Sequence, residues 1–247
     1  MENLYARLLE DIRFEEGLNA CMNCGVCTAI CPAAEFYNYD PRKICDQVQT
    51  RDNELIEELL KGEVIWYCGQ CMSCKTRCPR GNTPGMVIMA LRQLSQKLGY
   101  FTESEKGRQQ FAIKRTIGEN ILKYGYCAAS YVVDPEKHPE QGPIWEHYYE
   151  NLEHVIARFG GELNGKEGPL RRITPEVLEE LKQIFEVTGG QDLFDTIEAA
   201  SKKKALEMGL DFDDEGIDFE YFEYIYSADN GSHCIDEPVI ADHETGR

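Results

Sequence analysis

The sequence predicts a mainly α-helical protein. Apolar residues recur at helical spacing along most of the chain, and several of these segments begin at threonine or proline and end at glycine. The pattern C-x2-C-x2-C-x3-C-P occurs twice in the first hundred residues, and a helical segment, not a strand, follows each copy. We therefore expect a cysteine-bearing domain at residues 1–100, a helical extension at 101–210, and an extended acidic arm with aromatic residues at 211–247.

The composition of the chain excludes some classes of function. Its 247 residues include 44 acidic and 26 basic side chains, a net charge of −18 at pH 7, whereas nucleic-acid binding requires a basic surface. Twelve acidic residues and one basic residue lie between positions 211 and 247, so much of the negative charge is concentrated in the arm.

The eleven cysteines are expected to be reduced. Glu2, Glu10 and Asp11 lie where an export signal would need an apolar core, and no segment approaches the roughly 18 uncharged apolar residues of a membrane helix. A cytoplasmic protein is therefore predicted. In a reducing compartment, closely spaced cysteines indicate bound metal or catalysis more than structural disulfides.

Three helical segments are expected in the cysteine-bearing domain. Apolar spacing predicts a short helix within residues 3–17 and another over about Pro41–Lys61. The third has clear end signals, because Thr83 is a suitable N-cap, Pro84 suits the first helical position, and Gly99 is a typical stop.

The extension is predicted to consist of further helices. Thr102 and Glu105 have the spacing of a capping box, and the helix that they begin is expected to end at Gly125. Three more helices are expected within residues 143–161, 174–190 and 191–209. In the arm, acidic residues alternate with Phe and Tyr, which predicts a segment that docks its aromatic side chains and does not remain a free coil.

The repeated cysteine pattern is the most informative feature of the chain. Three thiolates spaced by two residues allow a tightly wound loop to bind three corners of a cubane, while the fourth points elsewhere. In two-cluster ferredoxins this fourth cysteine binds the other cluster. We therefore predict one [4Fe-4S] cluster at Cys21, Cys24, Cys27 and Cys78, and a second at Cys68, Cys71, Cys74 and Cys31.

The alternative is that these thiols bind zinc. Structural zinc sites commonly use two C-x2-C pairs separated by a longer spacer, and the present run places too many thiols too close together for that arrangement. The duplication of the whole pattern therefore favours clusters over zinc or disulfides.

Three cysteines lie outside the two patterns. Cys45 and Cys127 are expected to pack as small apolar residues. Cys234, beside His233, is a candidate metal ligand or reactive thiol, but no second pair of ligands lies near it in sequence. The five histidines of the chain form no metal-binding motif. Besides His233, they are His138, His147, His154 and His243.

Two groups of residues are expected to influence the clusters without binding them. Three roles are open for the basic residues near the cysteine loops. They raise the reduction potential of the clusters, they attract an acidic partner, or they form an ordinary solvated surface. Trp66 and Tyr67 are expected to shield the second cluster from water. The basic residues are Arg42, Lys43, Lys75, Arg77 and Arg80.

No motif of an active site is present in the sequence. There is no GxGxxG after a strand, no GxxxxGK[ST] and no GxSxG pattern. The chain is therefore predicted to conduct electrons, with no evident catalytic site of its own.

Both cysteine patterns and the stretch WYCGQCMSCKTRCPRGNTP at 66–84 resemble the small iron–sulfur subunit of heterodisulfide reductases, the HdrC-like proteins. The resemblance is specific over about residues 15–100 and weaker to about 160. That family resembles the C-terminal ferredoxin half of succinate dehydrogenase iron–sulfur subunits, which implies a helical ferredoxin fold. It also implies electron transfer between an HdrA-like flavoprotein and an HdrB-like subunit with CCG domains, in a multisubunit complex.

Three alternatives accompany this interpretation. The long C-terminal part departs from compact family members and favours slightly the Hdr-like complexes of sulfur-oxidising bacteria, which work in the oxidative direction. The second alternative is the iron–sulfur subunit of another flavoprotein dehydrogenase, of the glycerol-3-phosphate, glycolate or succinate type. The absence of a [2Fe-2S] motif from the sequence weakens the succinate type. The third alternative is a non-redox module in which metal sites only stabilise a scaffold.

Overall fold

A computed structural model describes residues 3–127, 135, 142–168 and 170–226, and within them the regular elements are helices, with no β-strand. The mainly α-helical class is thus confirmed. None of the described helices combines the length and the apolar character that crossing a bilayer demands. The helices of the cysteine-bearing part are α1 (Leu4–Leu9), α2 (Ile12–Gly17), α3 (Val26–Ala29), α4 (Pro41–Gln49), α5 (Asn53–Lys61), α6 (Ser73–Arg77) and α7 (Pro84–Lys97).

Two of the segments predicted as single helices are broken in the structure. Residues 3–17 form α1 and α2, because the Asp11 side chain accepts a hydrogen bond from the Arg13 amide and caps a new helix. The segment Pro41–Lys61 is divided between α4 and α5. There Arg51 adopts a left-handed conformation with φ of 60°, and Asp52 caps α5 through the Glu54 amide.

Thr83 directly precedes α7, as predicted, but its side chain makes no capping hydrogen bond, whereas the signals at Pro84 and Gly99 are confirmed. Pro84 is the first residue of this helix, and Gly99 takes a left-handed conformation with φ of 75° just after its end. Buried residues of α1, α2, α4 and α5 pack against α7 to form the first apolar core. The largest side chains of this core that are almost fully buried are Leu8, Phe14, Ile44, Ile56, Leu60, Ile65, Ile88 and Leu91.

The crossing of α2 over α7 depends on the absence of a side chain at Gly17. A Cβ atom at this position would lie 3.0 Å from the Cβ of Met86, 3.1 Å from the Val87 nitrogen and 3.2 Å from the Thr83 carbonyl oxygen. The Thr83 amide also donates a 2.7 Å hydrogen bond to the Gly17 carbonyl. Backbone atoms therefore fix the separation of the two helices at this point.

We expect Gly17→Ala to lower the free energy of unfolding by about 2 kcal/mol, because the helices must separate to admit the methyl group. The measurement is chemical denaturation followed by circular dichroism. Ile12→Ala, on the solvent side of the same helix, is the matched control and should change stability little. Equal stability of Gly17→Ala and the parent chain would contradict this account of the crossing.

The extension consists of helices, and some of them supply a second apolar core that contains Phe101, Phe111, Ile197, Ala205, Phe219, Tyr221, Phe222 and Ile225. Its elements are α8 (Glu105–Ile113), a π-helical turn (Lys114–Gly118), α9 (Glu119–Tyr124), α10 (Pro143–Glu150), α11 (Leu152–Arg158), α12 (Pro175–Val187), α13 (Gly190–Met208) and α14 (Glu220–Tyr226). The predicted single helix at 143–161 is two helices that meet at Asn151. Gly125 ends α9 in a left-handed conformation, as predicted.

The predicted capping box at Thr102 and Glu105 is wrong. Ser104 is the N-cap of α8, and its Oγ accepts a 3.1 Å hydrogen bond from the Gly107 amide. Thr102 instead lies in a 3-10 turn and donates to the Gly99 carbonyl. A further cap comes from Glu63, whose carboxylate accepts a 3.1 Å hydrogen bond from the Lys106 amide.

The first part of the acidic arm packs on the extension. The side chains of Phe219, Tyr221, Phe222 and Ile225 are buried in the second core with Phe111. The docking of aromatic residues thus agrees with expectation, but Glu220–Tyr226 is a helix and not extended chain, because it presents these apolar residues on one face to α8. Residues 227–247 lie outside the described residues.

The two cores meet close to the second cysteine pattern. Trp66, in the 3-10 turn Val64–Tyr67, packs against both of them. The Glu63 cap on α8 adds a polar contact beside it. The extension is therefore packed against the element that leads directly into Cys68.

Candidate functional site

The two cysteine patterns form loops of equivalent backbone conformation. In the first loop, Asn23 and Gly25 have φ of 58° and 81°; in the second, Gln70 and Met72 have φ of 54° and 59°. These residues occupy the same positions between the first three cysteines of each pattern. Left-handed residues other than glycine cost of order 1–3 kcal/mol each and persist where the surroundings determine the conformation. The shared winding indicates that both loops are shaped for the same kind of ligand.

The eight cysteines of the two patterns surround two cavities. In each cavity, three consecutive cysteines of one pattern meet the fourth cysteine of the other. Among the described residues, no three His, Cys, Asp or Glu side chains converge on one position suited to a single metal ion. The first cavity is lined by Cys21, Cys24, Cys27 and Cys78, and the second by Cys31, Cys68, Cys71 and Cys74.

Two amides that the sequence did not single out hold the first loop in place. The Gln49 side-chain oxygen accepts a 2.6 Å hydrogen bond from the Cys21 amide. The Asn82 side-chain oxygen accepts a 2.7 Å hydrogen bond from the Asn19 amide, and the Asn82 backbone amide donates to Cys78 Sγ at 3.3 Å. Asn82 is buried and thus ties the first loop to the end of the second pattern.

Other donors point at the thiols of the second cavity. The amides of Gln70 and Gly85 lie 3.4 Å from the Sγ atoms of Cys68 and Cys74, respectively. Hydrogen bonds to ligand sulfurs stabilise their negative charge and influence the reduction potential of a bound cluster. Gly85 is also closely packed, because a Cβ there would lie 3.2 Å from Met72 Sδ.

The surroundings shift the pKa values of several thiols. Burial raises the pKa of Cys27 to about 11, and burial also raises the pKa of Cys31 and Cys74. At the exposed Cys71, a hydrogen bond with the Ser73 hydroxyl lowers the pKa. Since cluster ligands are thiolates, the buried thiols lose their protons when a cluster binds.

The predicted basic residues differ in how they are paired. Arg42 lines the first cavity, but its guanidinium forms a 2.8 Å ion pair with Asp40. The Asp40 carboxylate also accepts from the Thr28 hydroxyl. Arg80 lines the same cavity and is exposed. Lys43, Lys75 and Arg77 are exposed as well.

An aromatic group lies beside the second cavity, and of the two predicted residues it includes Tyr67 but not Trp66. Tyr67 stacks on Tyr37 with the ring centroids 4.6 Å apart, and Tyr39 meets Tyr67 edge-on at 6.4 Å. Tyr39 lines the second cavity, whereas Trp66 packs between the two cores. Arg92 approaches the same loop and was likewise missed, because it lies on α7, distant in sequence from Cys68.

The cysteines outside the two patterns and the histidines form no further site among the described residues. Cys45 is buried, with 1% exposure, and lies at the first cavity. Cys127 is exposed, so the prediction that it packs in an apolar environment is wrong. His147 and His154 are on the surface. Four predicted residues lie outside the described residues: His138, His233, Cys234 and His243.

Comparison with known proteins identifies the cysteine-bearing part. Residues 17–82 match the family described as the 4Fe-4S dicluster domain. This range includes all eight cysteines of the two patterns. The donor set fits, since two groups of four thiols lie at two cavities. The chain therefore carries two [4Fe-4S] clusters.

Most of the chain is similar to curated proteins of archaea. It is 44% identical over 207 residues to the HdrC subunit of the ferredoxin:CoB-CoM heterodisulfide reductase of Methanosarcina acetivorans, covering 81% of this chain and 74% of that protein. It is 33% identical over 112 residues to the HdrC iron–sulfur subunit of the CoB–CoM heterodisulfide reductase of Methanopyrus kandleri, covering 44% of this chain and 57% of that protein. The first similarity extends well beyond the cysteine-bearing part.

Proposed function

Because the chain belongs to the HdrC family of heterodisulfide reductase subunits, and is thus an iron–sulfur electron-transfer subunit, we propose that it relays electrons between two other subunits of such a complex. One partner is an HdrA-like flavoprotein, and the other is an HdrB-like subunit with CCG domains. The observation that carries the proposal is the pair of four-thiol cavities within a single small domain, since two clusters in one domain provide successive sites for an electron.

The proposed ligands follow the grouping of the thiols around the cavities. Each cluster takes three thiolates from one loop and the fourth from the other pattern, so each cluster joins the two loops. The first is held by Cys21, Cys24, Cys27 and Cys78, and the second by Cys68, Cys71, Cys74 and Cys31. When bound, the clusters supply one-electron chemistry, while the loops orient the sulfurs and donate hydrogen bonds to them.

The proposed substrate of the complex is a disulfide formed from two different thiols. The names of the two relatives refer to CoB and CoM, which favours a reductase of this kind. The oxidative complex of sulfur-oxidising bacteria, favoured slightly by the long C-terminal part, stays a prediction. A cytoplasmic location is proposed together with this assignment.

Anaerobic purification of the tagged full chain from its own cells tests the proposed partners. We expect a flavoprotein and a protein with CCG domains to copurify in fixed ratio, and the mixture to reduce a disulfide substrate with reduced ferredoxin as electron donor. The control is a chain with Cys27→Ala, which should lose the first cluster, keep the second, copurify with the same partners and reduce the disulfide far more slowly. Copurification with a flavoprotein dehydrogenase alone, without a CCG-bearing subunit, would contradict the proposal.

A further inference from the structure

Within the described part of the chain, a cation and a hydroxyl group beside the second cavity lack the protein partners that such groups usually have. We propose that Arg92 and Tyr39 hold the reduction potential of the second cluster above that of the first, so that a single electron on the chain resides at the second cavity. The inference rests on the proposed relay and on its ligand assignment. It adds to the relay the site at which a single electron waits, namely the second cluster.

Arg92 reaches from α7 to the second cysteine loop. Its Nε donates to the Ile65 carbonyl and a terminal nitrogen donates to the Cys68 carbonyl, both at 2.7 Å. The guanidinium carbon also lies 5.4 Å from the centroid of the Trp66 ring. Among the described residues, no carboxylate pairs with Arg92. Its acceptors are neutral carbonyls, so its charge is not balanced by a described protein anion.

The charge of Arg92 is costly in this position unless an anion lies near. The side chain is partly buried, so water solvates its charge less than that of an exposed arginine. A cubane bound by four thiolates is itself an anion, and reduction adds one more negative charge. A fixed cation that is hydrogen-bonded to the backbone of a cluster-binding residue stabilises the reduced form more than the oxidised form, and so raises the reduction potential.

Tyr39 supplies the second contribution. It is only 4% exposed, it lines the second cavity, and its hydroxyl has no hydrogen-bond partner among the described residues. The phenol hydroxyl is therefore available as a donor at this cavity. A hydrogen bond from such a donor to a cluster sulfur stabilises added negative charge.

The first cavity does not have the same surroundings in the described part of the chain. Arg42 lies at this cavity, but Asp40 neutralises its charge. Arg80 is exposed, where water and salt screen its charge. The buried neighbour at this cavity is Cys45, which carries no cationic group. The electrostatic difference between the cavities therefore favours reduction at the second one.

Redox titration of the purified full chain, monitored by electron paramagnetic resonance after anaerobic addition of dithionite, tests the inference. The two signals are assigned with Cys24→Ser and Cys71→Ser, which replace an exposed ligand of the first and second cavity, respectively. Arg92→Met removes the charge, Arg92→Lys keeps it, and Tyr39→Phe removes only the hydroxyl. Arg80→Met is the matched control at the first cavity. Iron content is measured for every variant.

We expect the second cluster of the parent chain to have the higher potential. Arg92→Met should lower the equilibrium constant for its reduction at least about tenfold, which corresponds to about 59 mV for one electron. Tyr39→Phe should lower it about threefold or more. Arg92→Lys should shift it less than Arg92→Met. The first cluster should be unchanged in these variants, and Arg80→Met should leave the second cluster unchanged.

Equal potentials in the parent chain, or a higher potential at the first cluster, would overturn the inference. So would an unchanged second potential in Arg92→Met with full iron content. If Arg92→Met loses iron, Tyr39→Phe decides, because it keeps the cation and the ring; an unchanged potential there would overturn the proposal. A parent chain with fewer than two cluster signals would instead overturn the proposed relay, which distinguishes the two failures.

Discussion

Cys78→Ala is expected to abolish the first cluster and to retain the second, although Cys78 belongs to the second cysteine pattern. The reason is its position, since it lines the cavity that also holds Cys21, Cys24 and Cys27. The iron content should fall from about eight to about four atoms per chain. Cys31→Ala should have the reciprocal effect, because Cys31 lines the second cavity.

Comparison of pairs of variants makes this experiment decisive. If the fourth thiolates are exchanged, Cys78→Ala removes the same paramagnetic signal as Cys27→Ala, and Cys31→Ala removes the same signal as Cys74→Ala. Cys45→Ala is the control, because this thiol lies at the first cavity but is not a proposed ligand. It should keep about eight irons.

The opposite pairing, with Cys78→Ala matching Cys74→Ala, would contradict the exchange of ligands. The exchange joins the two loops, so loss of one cluster can weaken the other. Cys78→Ser is therefore included as a milder change, since a serine oxygen can replace the thiolate. It should shift the spectrum of the first cluster alone.

The sequence predicts the winding of the two cysteine loops better than the residues that surround them. The winding of each loop follows from the spacing of three cysteines, which is a local property of the chain. The ends of α7 are equally local, because Pro84 and Gly99 act through their own backbone conformations. These features could be predicted without knowledge of any distant contact.

The surroundings of the clusters depend on contacts between distant segments. Gln49 reaches Cys21 across 28 positions, and Arg92 reaches Cys68 across 24. Neither residue has a distinguishing local pattern, since both lie on the helices α4 and α7. Tyr39 had a weak signal, because it follows the first pattern in the aromatic stretch FYNYDP. A buried polar group without a partner is visible only in three dimensions.

The helix boundaries that were missed reflect a competition between similar local signals. Thr102 and Ser104 are both suitable N-caps, and the choice depends on Glu63, which caps the following turn from a distant part of the chain. The helix α14 was missed for a related reason. Its acidic residues disfavoured helix in the sequence pattern, but burial of Tyr221 and Phe222 against the second core stabilises it.

Arg115 attaches the acidic segment to the extension. Its side chain is 2% exposed and pairs with Glu198. The guanidinium also donates to the carbonyls of Asp213 at 3.1 Å and Gly216 at 3.2 Å, and it lies 5.9 Å from the centroid of the Phe219 ring. One buried cation therefore satisfies two carbonyl groups of the loop that leads into α14.

We expect Arg115→Met to destabilise the packing of residues 211–226 by about 3 kcal/mol, because it removes the donor of two carbonyl groups and one partner of Glu198. The loss is limited because Lys114 still pairs with Glu198 at 2.6 Å. Hydrogen exchange of the α14 amides measures the change, and it should accelerate about a hundredfold.

The matched control for this prediction is Lys202→Met. Its ion pair with Asp214 joins the same two segments at 2.6 Å, but its side chains are 45% and 70% exposed. Exposed pairs contribute about 0.5 kcal/mol or less, so exchange in α14 should change little in this variant. Equal acceleration in both variants would show that net charge, and not the buried network of Arg115, holds the segment. The two iron–sulfur signals should persist in both variants, because the contact lies in the second core, away from the cysteine loops.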